Sequence, residues 1–221
     1  STGTPTEILI SSKMHQKWTA GFEQRIRKWA GLNKDTPKGT IGGRRVLDKG
    51  ISKGPYFRYN YFEKQVYFSA YHISRDTVED YVYGMKKHSI KYMTGYAMSN
   101  FFLAKFIKEL GIKAPKLKAV ITSSEKLTDE MRKTFKDVYD CRTFDSYSGV
   151  EDCGMISECN SGNLHISPDM GIIEIINKNG ENIKPGEIGE AICTGIINYD
   201  QPLIRYKIGD YIKLSNRDSC P

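Results

Sequence analysis

The chain has 221 residues, 39% of them hydrophobic and 27% charged, with 20 Gly and 8 Pro, an ordinary globular mixture that excludes a fibrous or disordered polypeptide. A chain of this length can bury about 70% of the surface its unfolded form exposes, and no uncharged apolar run approaches the roughly 20 residues of a membrane helix. Lys and Arg number 33 against 26 Asp and Glu, so the net charge is +7, which suits nucleic acid, an anionic surface or a phosphate-rich ligand equally.

The chain opens on STGTP, a Ser/Thr/Gly turn with no strand before it, although glycine phosphate loops follow a strand and lead into a helix. It closes on Cys-Pro with no structural conclusion, and we expect an excised piece of a larger enzyme. Residues 8–32 carry Met14, Trp18, Phe22 and Ile26 at spacings of four, a helical period closed by Gly31. Residues 33–55 are rich in Gly and Pro and read as loop with a short strand or two. The aromatic stretch FRYNYFEKQVYFSAYH reads as a strand or a strand pair.

Ser74 is placed to cap a helix bearing Val78, Tyr81, Val82 and Met85. A second helix carries Phe102, Phe106 and Leu110, with Leu103 and Ile107 one step over, and stops at Gly111. LKAVITSS has the apolar character of a central strand, Thr128 caps a helix with Met131, Phe135 and Val138, and RTFDSYSG is the next strand. This alternation predicts an α/β layered sheet. Beyond Gly149 the pattern becomes hairpin strands turning at Asn179-Gly180 and Pro185-Gly186. We therefore expect an α/β subdomain over 1–149 and a smaller β-rich, barrel-like subdomain over 150–221.

Three segments carry candidate chemistry, each also readable as an ordinary turn. In STGTP, backbone amides and hydroxyls can face phosphate oxygens. In DSYSGVE, at a strand end of the sheet where ligands collect, Glu151 suits Mg²⁺ and Tyr147 can stack on a ring. In RYKIGD, Asp210 offers two acceptors to paired ribose hydroxyls.

The order STGTP, SAYH, TSSE, DSYSGVE, GEIGEAICTG, PLIRYKIGD resembles the adenylate-forming superfamily, and within it the phenylacetate-CoA ligase family with its capsular polysaccharide biosynthesis relatives. The resemblance covers nearly the whole chain and is densest in GNLHISPDMGIIEI and PLIRYKIGD. It implies the α/β fold of the adenylate-forming N-terminal domain plus a β-rich subdomain, in a fragment lacking an upstream subdomain and the C-terminal lid that holds a catalytic Lys. It further implies that Ser1, Thr2, Gly3 and Thr4 cradle ATP phosphates and that Ser123, Ser124 and Glu125 line the adenine and acyl pocket. The Tyr71-His72 pair would stand near the substrate carboxylate, with His72 catalytic. Asp145 and Tyr147 would flank the adenine, Glu151 would act catalytically through Mg²⁺, and Asp210 would take the ribose. The sequence departs from the family at Ser148, where Tyr-Gly is usual, at Val150, where a hydroxyl precedes the Glu, and at Ala97, where relatives carry Pro.

The activity implied is carboxylate activation by ATP through an acyl-adenylate, followed by thioester formation with CoA; the substrate would be a small carboxylic acid. Some relatives adenylate a deazaflavin and make no thioester, which keeps that acceptor open. The same branch implies a structural Zn²⁺ site from Cys159, His165 and Cys220, with the fourth ligand past Pro221 or at Cys153. Cys141 and Cys193 read as small buried hydrophobes.

The competing class is a nucleic-acid-binding module, drawn from +7 and the basic aromatic stretch at 56–68. Glu63 and Gln65 interrupt that stretch and no RNP or zinc-finger spacing appears, so we expect no nucleic-acid partner. Five irregularly spaced cysteines and the lack of a signal pattern or membrane span give the expectation of a cytoplasmic protein with no membrane partner, and a homodimer stays open.

Overall fold

The computed structural model describes residues 7–48, 50, 53–216 and 220. They fall into two compact units, one formed by residues 26–146 and the other by the flanking segments 1–25 and 147–221.

The first unit is built on a six-stranded sheet. Its strands are β1 (Lys38–Gly42), β2 (Phe57–Asn60), β3 (Gln65–Ser69), β4 (Tyr92–Tyr96), β5 (Ala119–Ser123) and β6 (Arg142–Ser148), and its helices are α2 (Val78–Lys87), α3 (Ala97–Glu109) and α4 (Asp129–Tyr139). The order is β2-β3-β1-β4-β5-β6. Only β2 against β3 is antiparallel; β3/β1, β1/β4, β4/β5 and β5/β6 are parallel. Parallel neighbours need crossover connections, and helices between β3, β4, β5 and β6 supply them. Val78, Tyr81, Val82 and Met85 of α2, Leu103 and Ile107 of α3, and Met131 and Phe135 of α4 are buried with Ile41, Val66, Phe68 and Val120 of the strands. The faces read from the sequence for α2 and α4 are thus the faces that pack, whereas in α3 the packing face is that of Leu103 and Ile107, and Phe102 and Leu110 of the expected stripe are exposed.

Capping explains where the helices stop and start. The Thr128 side chain accepts the Met131 N–H at 3.3 Å and opens α4. Gly111 closes α3, its own N–H on the Lys108 carbonyl and the Ile112 N–H on the Ile107 carbonyl, the double bond of a Schellman end. Ser74 is not the cap of α2: Thr77 holds that position, and Ser74 starts a preceding turn by accepting the Thr77 and Val78 N–H groups on its carbonyl. The strand β4 had no counterpart in the sequence reading. Its Gly95 adopts φ +118°, and a Cβ there would strike the Ile41 carbonyl of β1, so the close approach of the two backbones demands glycine.

The second unit opens with α1 (Ser12–Phe22), capped by Ser11. The helical period of residues 8–32 therefore begins four residues later than its first apolar position and changes to a π-helical turn over Glu23–Arg27. The Gly21 backbone lies against the Met170 side chain. Strands β7 (Met155–Glu158) and β8 (Leu164–Ile166) form an antiparallel hairpin, and β9 (Ile172–Ile176), β10 (Ile188–Thr194) and β11 (Tyr206–Lys213) form an antiparallel sheet of order β11-β10-β9. Ile175, Ala191, Ile192 and Cys193 supply its buried positions. Among the described residues, no helix is long and apolar enough to cross a membrane.

Candidate functional site

In the first unit the sequence-predicted residues gather at the C-terminal ends of β3, β5 and β6, the end of a parallel sheet where ligands bind. His72 follows β3. Its Nδ1 is 2.7 Å from Ser69 Oγ, its carbonyl accepts from Thr77 Oγ1 at 2.5 Å, and Tyr56 stacks on its ring with centroids 5.2 Å apart. Ser69 is buried and its carbonyl also accepts the Tyr81 hydroxyl at 2.7 Å, so the imidazole is mounted on a closed polar network. A cavity of about 280 Å³ opens beside it, lined by Arg45, Val46, Asp48, Ser69, Tyr71 and His72 among others.

Ser123 ends β5, in register with Ser146 of β6 and Tyr96 of β4. Ser124 follows with φ +67°, and the Glu125 carboxylate turns back to accept the Met98 N–H at 2.7 Å. Glu125 therefore caps the first turn of α3, where a negative charge faces the positive end of the helix dipole. The Asp145 carboxylate accepts the Ser146 N–H at 3.0 Å and the Thr122 hydroxyl at 3.3 Å.

In the second unit Tyr147 and Asp210 meet although 63 residues separate them: the Tyr147 hydroxyl donates to Asp210 Oδ2 at 2.8 Å. Burial, and then this bond to a carboxylate, raise the Tyr147 phenol above its ordinary range, so it stays a protonated donor. Asp210 sits in a bulge of β11, because Glu190 pairs with Tyr211 and Ile192 with Lys207, leaving Ile208, Gly209 and Asp210 opposite Ala191 alone. Gly209, at φ +89°, supplies the left-handed residue the bulge requires. Ser148 and Gly149 continue from Tyr147, and the Glu151 carboxylate folds against Gly149. The Asp152 N–H closes the turn on the Gly149 carbonyl at 3.2 Å.

Two features of this turn escaped the sequence reading. Asp152 has φ +48°, and burial, followed by repulsion from Glu151, pushes its carboxyl up to about 7. Cys153 is buried and hydrogen-bonded to Cys193, and this bond together with burial pushes the Cys153 thiol up. The Cys153–Cys193 pairing has no local signal, since its partners lie 40 residues apart. Cys141 keeps its expected inert character, with burial pushing its thiol up to about 12.

Cys159, His165 and Cys220 form a third group, their ligand atoms all within 4.8 Å of one another. The two sulfurs are 3.4 Å apart, the Ser161 N–H points at Cys159 Sγ at 3.4 Å, and Asn163 Nδ2 donates to Cys220 Sγ at 3.3 Å. Burial opposes ionisation of Cys159, but hydrogen bonds from the Asn163 and Ser161 backbone, Cys220 and His165 outweigh it and bring the thiol down to about 6. Two sulfurs and an imidazole at such spacing match the donor set and reach of tetrahedral zinc. Cys153 is not in this group. Ser1, Thr2, Gly3 and Thr4 lie outside the described residues.

No protein-family model matches the chain. It is 29% identical over 187 residues to Protein CapK of Staphylococcus aureus, a match covering 84% of this chain and 40% of that protein. The structure superposes on 2-hydroxyisobutyryl-CoA ligase in complex with 2-HIB-AMP and CoA in the thioesterification state, with a TM-score of 0.69 at 15% identity over 98% of this chain and 46% of that one. The fold is that of the adenylate-forming ligases. Brucella canis acyl-CoA synthetase matches this adenylate-forming fold with a TM-score of 0.56 at 15% identity, over 90% of this chain and 40% of that one. A benzoate CoA ligase from Burkholderia xenovorans LB400 matches with a TM-score of 0.53 at 12% identity, over 90% and 42%. The adenylate-forming fold expected from the sequence is thereby borne out. The chain spans less than half the length of these relatives.

Proposed function

We propose that this chain is the nucleotide- and acid-binding part of an ATP-dependent carboxylate-activating ligase. In the reaction proposed, a carboxylate oxygen attacks the α-phosphorus of ATP, the bond to pyrophosphate breaks, and an acyl-adenylate forms. The thiolate of CoA then attacks the acyl carbonyl and AMP leaves. The observation that carries this reading is the joining of Tyr147 and Asp210 at 2.8 Å, in a fold shared with a ligase whose structure holds 2-HIB-AMP and CoA.

Within that reading Asp210 accepts the ribose hydroxyls and the Tyr147 ring packs on the adenine. Magnesium, when bound, would offset phosphate charge, and the Glu151 carboxylate provides the hard oxygen donor it prefers. The cavity at His72 suits a small acid, with Arg45 and the imidazole on its wall. We assign the chain to the phenylacetate-CoA ligase branch on the segments around His165 and Asp210. The five cysteines form no disulfide, which favours a reducing cytoplasm.

We further propose structural zinc at Cys159, His165 and Cys220, supported by the facing sulfurs and the lowered Cys159 thiol. Spanning less than half of its relatives' length, the chain is not expected to complete catalysis alone. The test is nucleotide protection: AMP or ATP should raise the melting temperature while ATP–pyrophosphate exchange stays at background with a panel of carboxylic acids. Salt-sensitive retention on oligonucleotide without nucleotide protection would instead favour a nucleic-acid partner.

A further inference from the structure

We infer that Tyr147 is a positioning residue for Asp210, and that its hydroxyl sets the preference of the site for ribonucleotides over nucleotides lacking the ribose hydroxyls. The inference rests on the nucleotide-binding reading above and adds a specificity role for a group that reading uses only as a ring.

The geometry supplies the reason. Asp210 is exposed, on a bulged segment of β11 next to Gly209, and a short carboxylate on such a segment has several rotamers open to it. Its Oδ2 is held at 2.8 Å by the Tyr147 hydroxyl, a group that has come from β6 and is anchored by its half-buried ring. An ionised carboxylate accepts only, with about four lone-pair sites on two oxygens. One of these goes to Tyr147, and Oδ1 is left to accept from the sugar. The phenol remains a donor at neutral pH, because burial, and then the carboxylate at hydrogen-bond distance, disfavour its ionised form. Tyr147 thus does two separable things: its ring face offers stacking area to a base, and its hydroxyl fixes the direction in which Asp210 presents its acceptor. Pre-set acceptors bind more tightly because the ordering cost is met before the ligand arrives.

Phenylalanine at 147 separates the two roles, since it keeps the ring and removes the hydroxyl. Binding of AMP and of 2′,3′-dideoxy-AMP to the chain, measured by titration calorimetry, is expected to show AMP affinity falling about 3- to 10-fold in Y147F, the scale of one hydrogen bond, with dideoxy-AMP unchanged. In a D210A background the same substitution should have no further effect, because the group it positions is gone. The exposed D210N variant removes one carboxylate oxygen without touching the core, and the preference should fall there at least as far as in Y147F. Full preference retained in Y147F or D210N, or an equal loss for both nucleotides, overturns the positioning role while leaving nucleotide binding intact. Wild-type chain that binds AMP and dideoxy-AMP equally does the same, and wild-type chain that binds neither overturns both readings.

Discussion

Ser69 Oγ lies 2.7 Å from His72 Nδ1 and also accepts the Tyr71 N–H at 3.3 Å, so one buried hydroxyl holds both residues of the Tyr-His pair. Removing it in S69A leaves the Tyr71 N–H and an imidazole nitrogen without their partner. We expect a loss of about 1–3 kcal/mol in urea unfolding. An S69A chain as stable as wild type would show that the hydroxyl is dispensable to the mount of His72.

At Gly95 both the backbone angle and the space exclude a side chain, since a Cβ would meet the Ile41 carbonyl between two paired strands. G95A should cost about 3 kcal/mol or more, a large share of the stability of an ordinary domain. Chemical denaturation reads this directly, and a change below 1 kcal/mol would contradict the β1/β4 packing.

Asp140 provides a test by pH. Hydrogen bonds from Lys136 at 2.6 Å and Lys116 at 2.9 Å hold its carboxyl down at about 2, from an ordinary 3.8. A depressed carboxylate contributes stability that is present above its unfolded value and is lost as pH falls through the folded one, here between about pH 4 and 2. Carboxyl NMR should place the Asp140 midpoint near 2, and K136M should move it upward. The group is exposed, so added salt should weaken the shift.

The zinc proposal separates the cysteines cleanly. After purification in zinc and dialysis, wild-type chain and C141S should retain one equivalent by atomic emission, and C159S should lose it. Equal retention by C159S and wild type would remove Cys159 from the ligand set.

Elements whose signals are local were legible in the sequence. Thr128 with Met131 and Phe135 announces α4, and Gly111 ends α3, because a cap and an apolar stripe act within a few residues. The strand β4 was not legible: YMTGY mixes polar and apolar residues around a glycine whose need arises only from β1 beside it. Ser74 misled because a hydroxyl before an apolar period is equally suited to the turn that precedes the cap. The site divides the same way. Glu151 and Asp210 stood out by type and by family order, whereas Glu125 on the Met98 N–H, Tyr147 on Asp210 and Cys153 on Cys193 depend on pairings 27, 63 and 40 residues apart.

The unit holding Tyr147, Glu151 and Asp210 is proposed above to bind an adenine nucleotide. Thermal unfolding of the wild-type chain and of D210A, each with and without millimolar AMP, tests it most directly. We expect a rise in the wild-type melting temperature that is clearly smaller in D210A, since a ligand that binds only the folded state stabilises it more the tighter it binds. An unchanged wild-type melting temperature, or an identical rise in D210A, would contradict it.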